Sequence, residues 1–119
     1  MFSLEGQLAI ITGGGRGIGK GVCEIFCKAG ATVALWDITN EGPETVNKIS
    51  SKGGKIFFQK VDITSTDMVE KAISEIIRKY KKIDILINNA GIIRDHSFMK
   101  MQKDEWENVI NVNLNALFN

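Results

Sequence analysis

Histidine, tyrosine and proline each occur once in this chain, and cysteine only twice. Each scarcity removes a class of chemistry. The cysteines, Cys23 and Cys27, lie four apart on what reads as one helix face. That spacing suits neither a C-x-x-C redox motif nor, with no histidine nearby, a zinc site, so no metal site is implied and both are expected to be core or near-core thiols. The one histidine, His96, stands in the polar stretch Arg94-Asp95-His96-Ser97, where a loop or surface residue outweighs a ligand or general base. Net charge is nearly absent too. Lys+Arg of 15 against Asp+Glu of 14 leaves +1, so neither nucleic acid nor an anionic membrane is implied as a partner. No apolar run has the length of a membrane span, and residues 1–7 carry neither the basic nor the apolar region of a secretory signal, which makes the cytoplasm the expected compartment. No linker, low-complexity tract or internal repeat divides the 119 residues, which suffice for one domain and one core.

Glycine is what the chain has in quantity, with 12 residues. The densest cluster is Thr12-Gly13-Gly14-Gly15-Arg16-Gly17-Ile18-Gly19, which follows the apolar run Leu8-Ala9-Ile10-Ile11 and opens a segment of helical periodicity. It reads as a strand, a tight turn and a helix N-terminus. Glycines let the backbone turn sharply and let a ligand come close, and the unpaired N–H groups of a first helical turn favour an anion. The implied ligand is a nucleotide or dinucleotide. The spacing is T-G-x-x-x-G-x-G through Thr12, Gly13, Gly17 and Gly19, not G-x-G-x-x-G, because Val22 stands where that motif's last glycine would be. Alone, such a pattern reads equally well as a flexible turn, and the neighbours have to decide.

Downstream, Ile18, Val22, Ile25, Phe26 and Ala29 predict one buried helical stripe that ends at Gly30. Residues 32–36 read as a strand with Asp37 directly after it. A helix is predicted over 40–52, with Pro43 tolerable in its first turn and Gly53-Gly54 as its stop. A third strand follows over 55–61. The capping sequence Thr64-Ser65-Thr66-Asp67 then opens a helix whose inward residues are Val69, Ala72, Ile73, Ile76, Ile77 and Tyr80. Residues 83–87 form a strand apolar enough to be covered on both faces, ended by Asn88-Asn89-Ala90-Gly91. A fourth helix from Lys103 onward would turn Trp106, Val109, Ile110, Leu114 and Leu117 inward. This alternation predicts an α/β fold, a doubly wound parallel sheet of about four strands and four helices. A chain ending after that helix would leave the fourth strand as a bare sheet edge.

In such a sheet Asp37, Asp62 and Asn89 lie at the carboxyl ends of strands, beside the glycine turn and on the edge where ligands bind. Asp37 follows Gly19 by 37 − 19 = 18 residues, near the spacing of a carboxylate that accepts hydrogen bonds from an adenosine ribose. Its structural alternative is a cap or turn carboxylate. Asp62 precedes Thr64 and Ser65, so turn chemistry competes with a ligand role. Asn88 and Asn89 could likewise just satisfy backbone groups at a strand end. Asn113 falls inside the inward stripe of the last helix, where its amide needs partners; it either pins the helix or holds a water or a catalytic side chain.

Together these residues resemble the short-chain dehydrogenase/reductases. The likeness runs the length of the chain: Thr12 to Gly19, Asp37, Val61-Asp62, Asn88-Asn89-Ala90-Gly91, and Asn113 within Asn111-Val112-Asn113-Leu114. The run from Asn88 to Asp95, with Phe98-Met99-Lys100-Met101 and Trp106, is most similar to the β-ketoacyl-carrier-protein reductase and acetoacetyl-CoA reductase branch. The resemblance implies a Rossmann-like domain over 1–119, incomplete at its C-terminus. By it, Thr12, Gly13, Gly15, Arg16, Gly17, Ile18 and Gly19 form the pyrophosphate turn, Asp62 and Ile63 flank the adenine, and Asn89, Ala90 and Gly91 border the cofactor ribose. Asn113 would be the family's catalytic asparagine, holding a water in a proton relay to a lysine. The family's serine and its Y-x-x-x-K pair are missing; the only tyrosine, Tyr80, has Asp84 four residues on.

The implied function is the cofactor-binding half of an NAD(P)-dependent oxidoreductase that transfers hydride to a β-ketoacyl thioester or similar carbonyl, homo-oligomeric when complete. The alternative is a nucleotide-binding module or fragment without chemistry. A methyltransferase on a similar sheet is disfavoured by Asn88-Asn89-Ala90-Gly91. Asp37 favours NAD(H), because a carboxylate accepts hydrogen bonds from a free ribose diol but repels a 2′-phosphate by roughly 1 kcal/mol or more near a protein surface. Nothing basic in Ile38-Thr39-Asn40-Glu41 offsets this. Arg16 could reach a 2′-phosphate, which leaves NADP(H) open.

Overall fold

Five consecutive buried residues, Leu8–Thr12, form the strand β1, and only a strand covered on both faces with a neighbour on each edge can be apolar at almost every position. The computed structural model describes residues 3–15, 17–89 and 113–115. After β1 come α1 (Gly17–Lys28), β2 (Thr32–Asp37), α2 (Glu41–Ser51), β3 (Lys55–Lys60), α3 (Thr66–Tyr80), β4 (Ile85–Asn88) and the three-residue β5 (Asn113–Asn115). The order is β3-β2-β1-β4, with β5 along the outer edge of β4, and every pairing is parallel.

Alternation along the central strands divides the core in two. Leu8, Ile10, Ala34, Trp36 and Leu86 face α3 and pack with Val69, Ile73 and Ile76. Ile11, Val33 and Leu35 face the other way, onto Cys23 of α1 and Ile49 of α2. Helices therefore cover both faces of the sheet, as the doubly wound prediction requires. The chain winds outward from β1 to β3, then crosses back to lay β4 against the free edge of β1. The strand order reverses between β1 and β4, and sheets of this kind bind ligands outside the carboxyl ends of the strands at such a point.

Helix ends follow their local chemistry. Ser65, in an extended conformation, accepts a hydrogen bond from the Met68 N–H and starts α3, the cap that its sequence predicts. At the far end of α1 the Ala31 N–H reaches back to the Phe26 carbonyl around Gly30. Burial raises the Cys23 thiol to about 12 and the Cys27 thiol to about 11; the first is buried and the second half-buried, as expected of core and near-core thiols.

Two expectations are corrected. The inward face of α1 is Gly19 and Cys23, with Val22, Phe26 and Cys27 beside them, while Ile18 is 78% exposed and Ile25 56% exposed. The cause is steric: Gly19 has to face the turn that precedes the helix, and this rotates Ile18 and Ile25, seven residues apart and so on one side, away from the sheet. The predicted fourth helix lies mostly outside the described residues. Where it is described, Asn113–Asn115 is strand, in register with Ile85 to Ile87, so Leu114 belongs to a strand and the outer edge of β4 is not bare. A strand edge presents unpaired N–H and C=O groups, and a segment laid along it satisfies them.

Candidate functional site

At the carboxyl end of β1 the buried Thr12 hydroxyl donates to Asn88 Oδ1 at 2.9 Å and accepts from the Asn89 N–H at 2.9 Å. One side chain thus ties β1 to the end of the neighbouring strand β4. The next residue is held twice. Gly13 donates its N–H to the Trp36 carbonyl at 2.7 Å, and its own carbonyl accepts from Asn89 Nδ2 at 3.2 Å.

Gly13 and Gly17 take φ values of 63° and 61°, left-handed conformations that cost a glycine little and that reverse the chain from β1 into α1. Gly19 is required for a different reason. A Cβ there would overlap the Gly13 carbonyl oxygen and stand 2.6 Å from Asn89 Nδ2, so the helix could not come this close. What results is a donor surface: the N–H groups of Gly17, Ile18 and Gly19 open α1, have no helical carbonyl one turn before them, and sit at the positive end of the helix dipole. Nothing stands within 4 Å of where a Cβ on Gly17 would be. The turn has the backbone donors that a diphosphate needs.

Asp37 closes β2 on the same edge. Its Oδ2 accepts from the Gly15 N–H at 2.9 Å, and its Oδ1 from the Ile38 and Thr39 N–H groups at 2.7 and 3.2 Å. The carboxylate therefore organises its own turn and the glycine turn together, which is the structural reading of this residue. Ile38 is exposed directly after it.

Asp62 lies one strand further out, beyond the end of β3, where the Val61 N–H donates to the Asp37 carbonyl. The hydroxyl of Thr64 donates to Asp62 Oδ1 at 2.6 Å and its N–H at 2.9 Å. These bonds, the hydroxyl first, hold the carboxyl below the usual carboxylate range. That is the turn chemistry weighed for Asp62 from sequence. Ile63, partly buried, packs onto the α3 side of the core.

The structure thus brings Thr12, Gly13, Gly15, Gly17, Ile18, Gly19, Asp37, Asp62 and Asn89 to one edge. Arg16, Ala90 and Gly91 lie outside the described residues. Asn113 is described as backbone only, in register with Ile85, three residues before Asn88 and so roughly 10 Å back from the edge. The sequence assigned one of these residues less than it does and passed over another. Asn88 was weighed only as a strand-end amide, and Thr45 of α2, whose hydroxyl donates to the Gly15 carbonyl at 2.6 Å, has no signature separating it from any other threonine inside a helix. Among the described residues no group of three or more His, Cys, Asp or Glu is placed to hold a metal ion, and no helix is long and apolar enough to cross a membrane.

Comparison with known proteins bears on this geometry. Residues 7–119 match the family described as short chain dehydrogenase. The chain is 39% identical over 118 residues to a 3-oxoacyl-(acyl-carrier-protein) reductase of Chlamydia pneumoniae, covering 98% of this chain and 48% of that protein. It spans about half the length of the curated relatives it matches. Among solved structures, a 7α-hydroxysteroid dehydrogenase complexed with NADH and 7-oxo glycochenodeoxycholic acid superposes with a TM-score of 0.67 at 40% identity, covering 71% of this chain and 33% of that one. A metagenomic short-chain oxidoreductase in complex with NADP gives 0.71 at 28% identity, covering 75% and 41%.

Proposed function

We propose that this chain, which belongs to the short-chain dehydrogenase family, is the cofactor-binding part of an oxidoreductase that uses NAD(H) in preference to NADP(H) to reduce a β-ketoacyl thioester or a similar carbonyl. The observation that carries the reading is the open N–H turn of α1 with the Asp37 carboxylate fixed beside it. A bound nicotinamide cofactor would supply the hydride. The residues of this chain hold it: Gly13, Gly17, Ile18 and Gly19 at the pyrophosphate, Asp37 at the adenosine ribose diol, Asp62 and Ile63 at the adenine, and Asn89, Ala90 and Gly91 at the other ribose. Thr12, Gly15 and Arg16 complete the turn, and Arg16 is the one residue in it that suits a 2′-phosphate. Asn113 enters by its match to the family's motif, as the amide that positions a water in a proton relay. The acyl-thioester substrate class is supported by the similarity to 3-oxoacyl-(acyl-carrier-protein) reductases, and a homo-oligomer is the assembly proposed for the complete protein.

The test is cofactor preference in the full protein that carries this sequence, by titration with NADH and NADPH. The native protein is expected to prefer NADH, and Asp37→Ala to lose roughly three- to tenfold in NADH affinity while gaining on NADPH. Asp37→Asn keeps an oxygen for the turn and is expected to shift the preference the same way. A native preference for NADPH, or no shift in either variant, removes Asp37 from the ribose site and the cofactor assignment with it.

The second reading is a nucleotide-binding module without chemistry. Within these 119 residues the one tyrosine, Tyr80, stacks on Phe57 with ring centroids 5.5 Å apart and packs against the core. Carbonyl-dependent NADH oxidation by the full protein decides between the two.

A further inference from the structure

The glycine turn is also held by β2 and α2, and a single residue receives the contacts. Gly15 donates its N–H to Asp37 Oδ2 at 2.9 Å and accepts the Thr45 hydroxyl on its carbonyl at 2.6 Å. The two bonds flank one α-carbon, so the first constrains rotation before it and the second rotation after it. Glycine is the residue with the most freedom to lose there. Thr45 is 3% exposed, so its hydroxyl is not exchanging between Gly15 and bulk water. The approach is close enough that a Cβ on Gly15 would overlap Asp37 Oδ2 and come within 3.0 Å of the Gly42 nitrogen. Gly42 in turn has the Phe58 ring where its own side chain would be. Thus α2, seated on β3 through Gly42, reaches through Thr45 to the residue that orients Asp37.

We infer that Thr45 is a positioning residue for cofactor discrimination: by fixing Gly15 it holds the Asp37 carboxylate in the one orientation that accepts a free ribose diol and opposes a 2′-phosphate. The inference rests on the reading of Asp37 as the ribose ligand. Thr45 itself touches no cofactor. Removing its hydroxyl leaves the Gly15 carbonyl without that donor, frees the Gly15 backbone, and loosens the bond on Oδ2, so that the carboxylate can turn about the Ile38 and Thr39 N–H groups that still hold Oδ1. A diol loses its acceptor geometry when this happens, whereas a 2′-phosphate loses a repulsion, so the affinities for the two cofactors move in opposite senses.

The experiment uses the full protein carrying this sequence, with Thr45→Val, Thr45→Ser and Asp37→Asn. NADH and NADPH dissociation constants are titrated, and Gly15 amide hydrogen exchange is followed without cofactor. Thr45→Val is expected to speed Gly15 exchange and weaken NADH binding roughly three- to tenfold, the range of one hydrogen bond, with NADPH binding unchanged or tighter. Thr45→Ser is expected to restore both. If Thr45→Val does not fold, Thr45→Cys keeps the size with a weak donor and is expected to move both readouts in the direction given for Thr45→Val, by a smaller amount; no movement in either readout overturns the inference. Equal weakening for both cofactors, or an unchanged ratio with native Gly15 exchange, overturns the inference while leaving Asp37 as ribose ligand if Asp37→Asn still shifts the ratio. An unchanged ratio in Asp37→Asn overturns the cofactor reading and this inference with it.

Discussion

Asp37 and Asp62 occupy adjacent strand ends on one edge of the sheet, yet different partners hold them. Asp37 is tied by backbone N–H groups from two turns, whereas Asp62 depends on one residue, Thr64, for both of its bonds. The depressed pKa of Asp62 gives a defined pH response. Because the folded-state value lies below the unfolded one, about 3.9 for an ordinary aspartate, the contribution is present above that value and is lost as pH falls through the folded value. Thr64→Val removes the leading cause, and the Asp62 carboxyl is then expected to titrate closer to the ordinary value; a carboxyl-detected NMR titration of native and variant checks it. An unmoved titration would mean that Thr64 is not what holds the charge. At this scale the sequence was legible wherever a residue type carries its own chemistry. Asp37 and Asp62 were found that way, with their turn roles in view. Thr45 was not, because its acceptor, Gly15, lies 30 residues away and nothing local marks the pair.

Among the elements, α3 was legible almost residue by residue, since Val69, Ala72, Ile73 and Ile76 recur at helical spacing and are all buried. Its start is testable. The Ser65 side chain accepts from the Met68 N–H at 3.3 Å, and Ser65→Ala is expected to cost about 1 kcal/mol in denaturant unfolding, with Ser65→Asp close to native. An alanine variant as stable as native would show that this long bond contributes nothing. The first helix was legible in extent but not in phase. Counting apolar residues put Ile18 and Ile25 inward, whereas the rotation of α1 is set by Gly19, which hydrophobicity cannot register. The same count read a helix through residues 113–115, where the backbone lies as strand beside β4.

For the whole molecule, the parallel α/β class followed from the alternation of strands and helices, whereas the strand order came from the structure. The match to relatives about twice as long sets a matching expectation. The 119-residue chain by itself holds the residues proposed for the cofactor but no Y-x-x-x-K pair, and it is expected to show no NADH-dependent reduction of a β-ketoacyl thioester. Turnover by the purified chain would remove the reading of Asn113 as one part of a relay whose other members lie elsewhere.

The bond from Thr12 to Asn88 spans 76 residues, which also makes it a clock. On the ribosome β1 gains β2 early, but its other edge waits for β4, and at about 5–20 residues per second that wait is roughly 4 to 15 s. During this interval a strand that is buried along its whole length in the folded molecule has one edge unpaired, and its alternatives are another nascent chain or a chaperone. Codon usage between the stretches encoding β1 and β4 sets the length of that exposure, so synonymous changes there bear on the yield of folded protein without altering a single residue of the site.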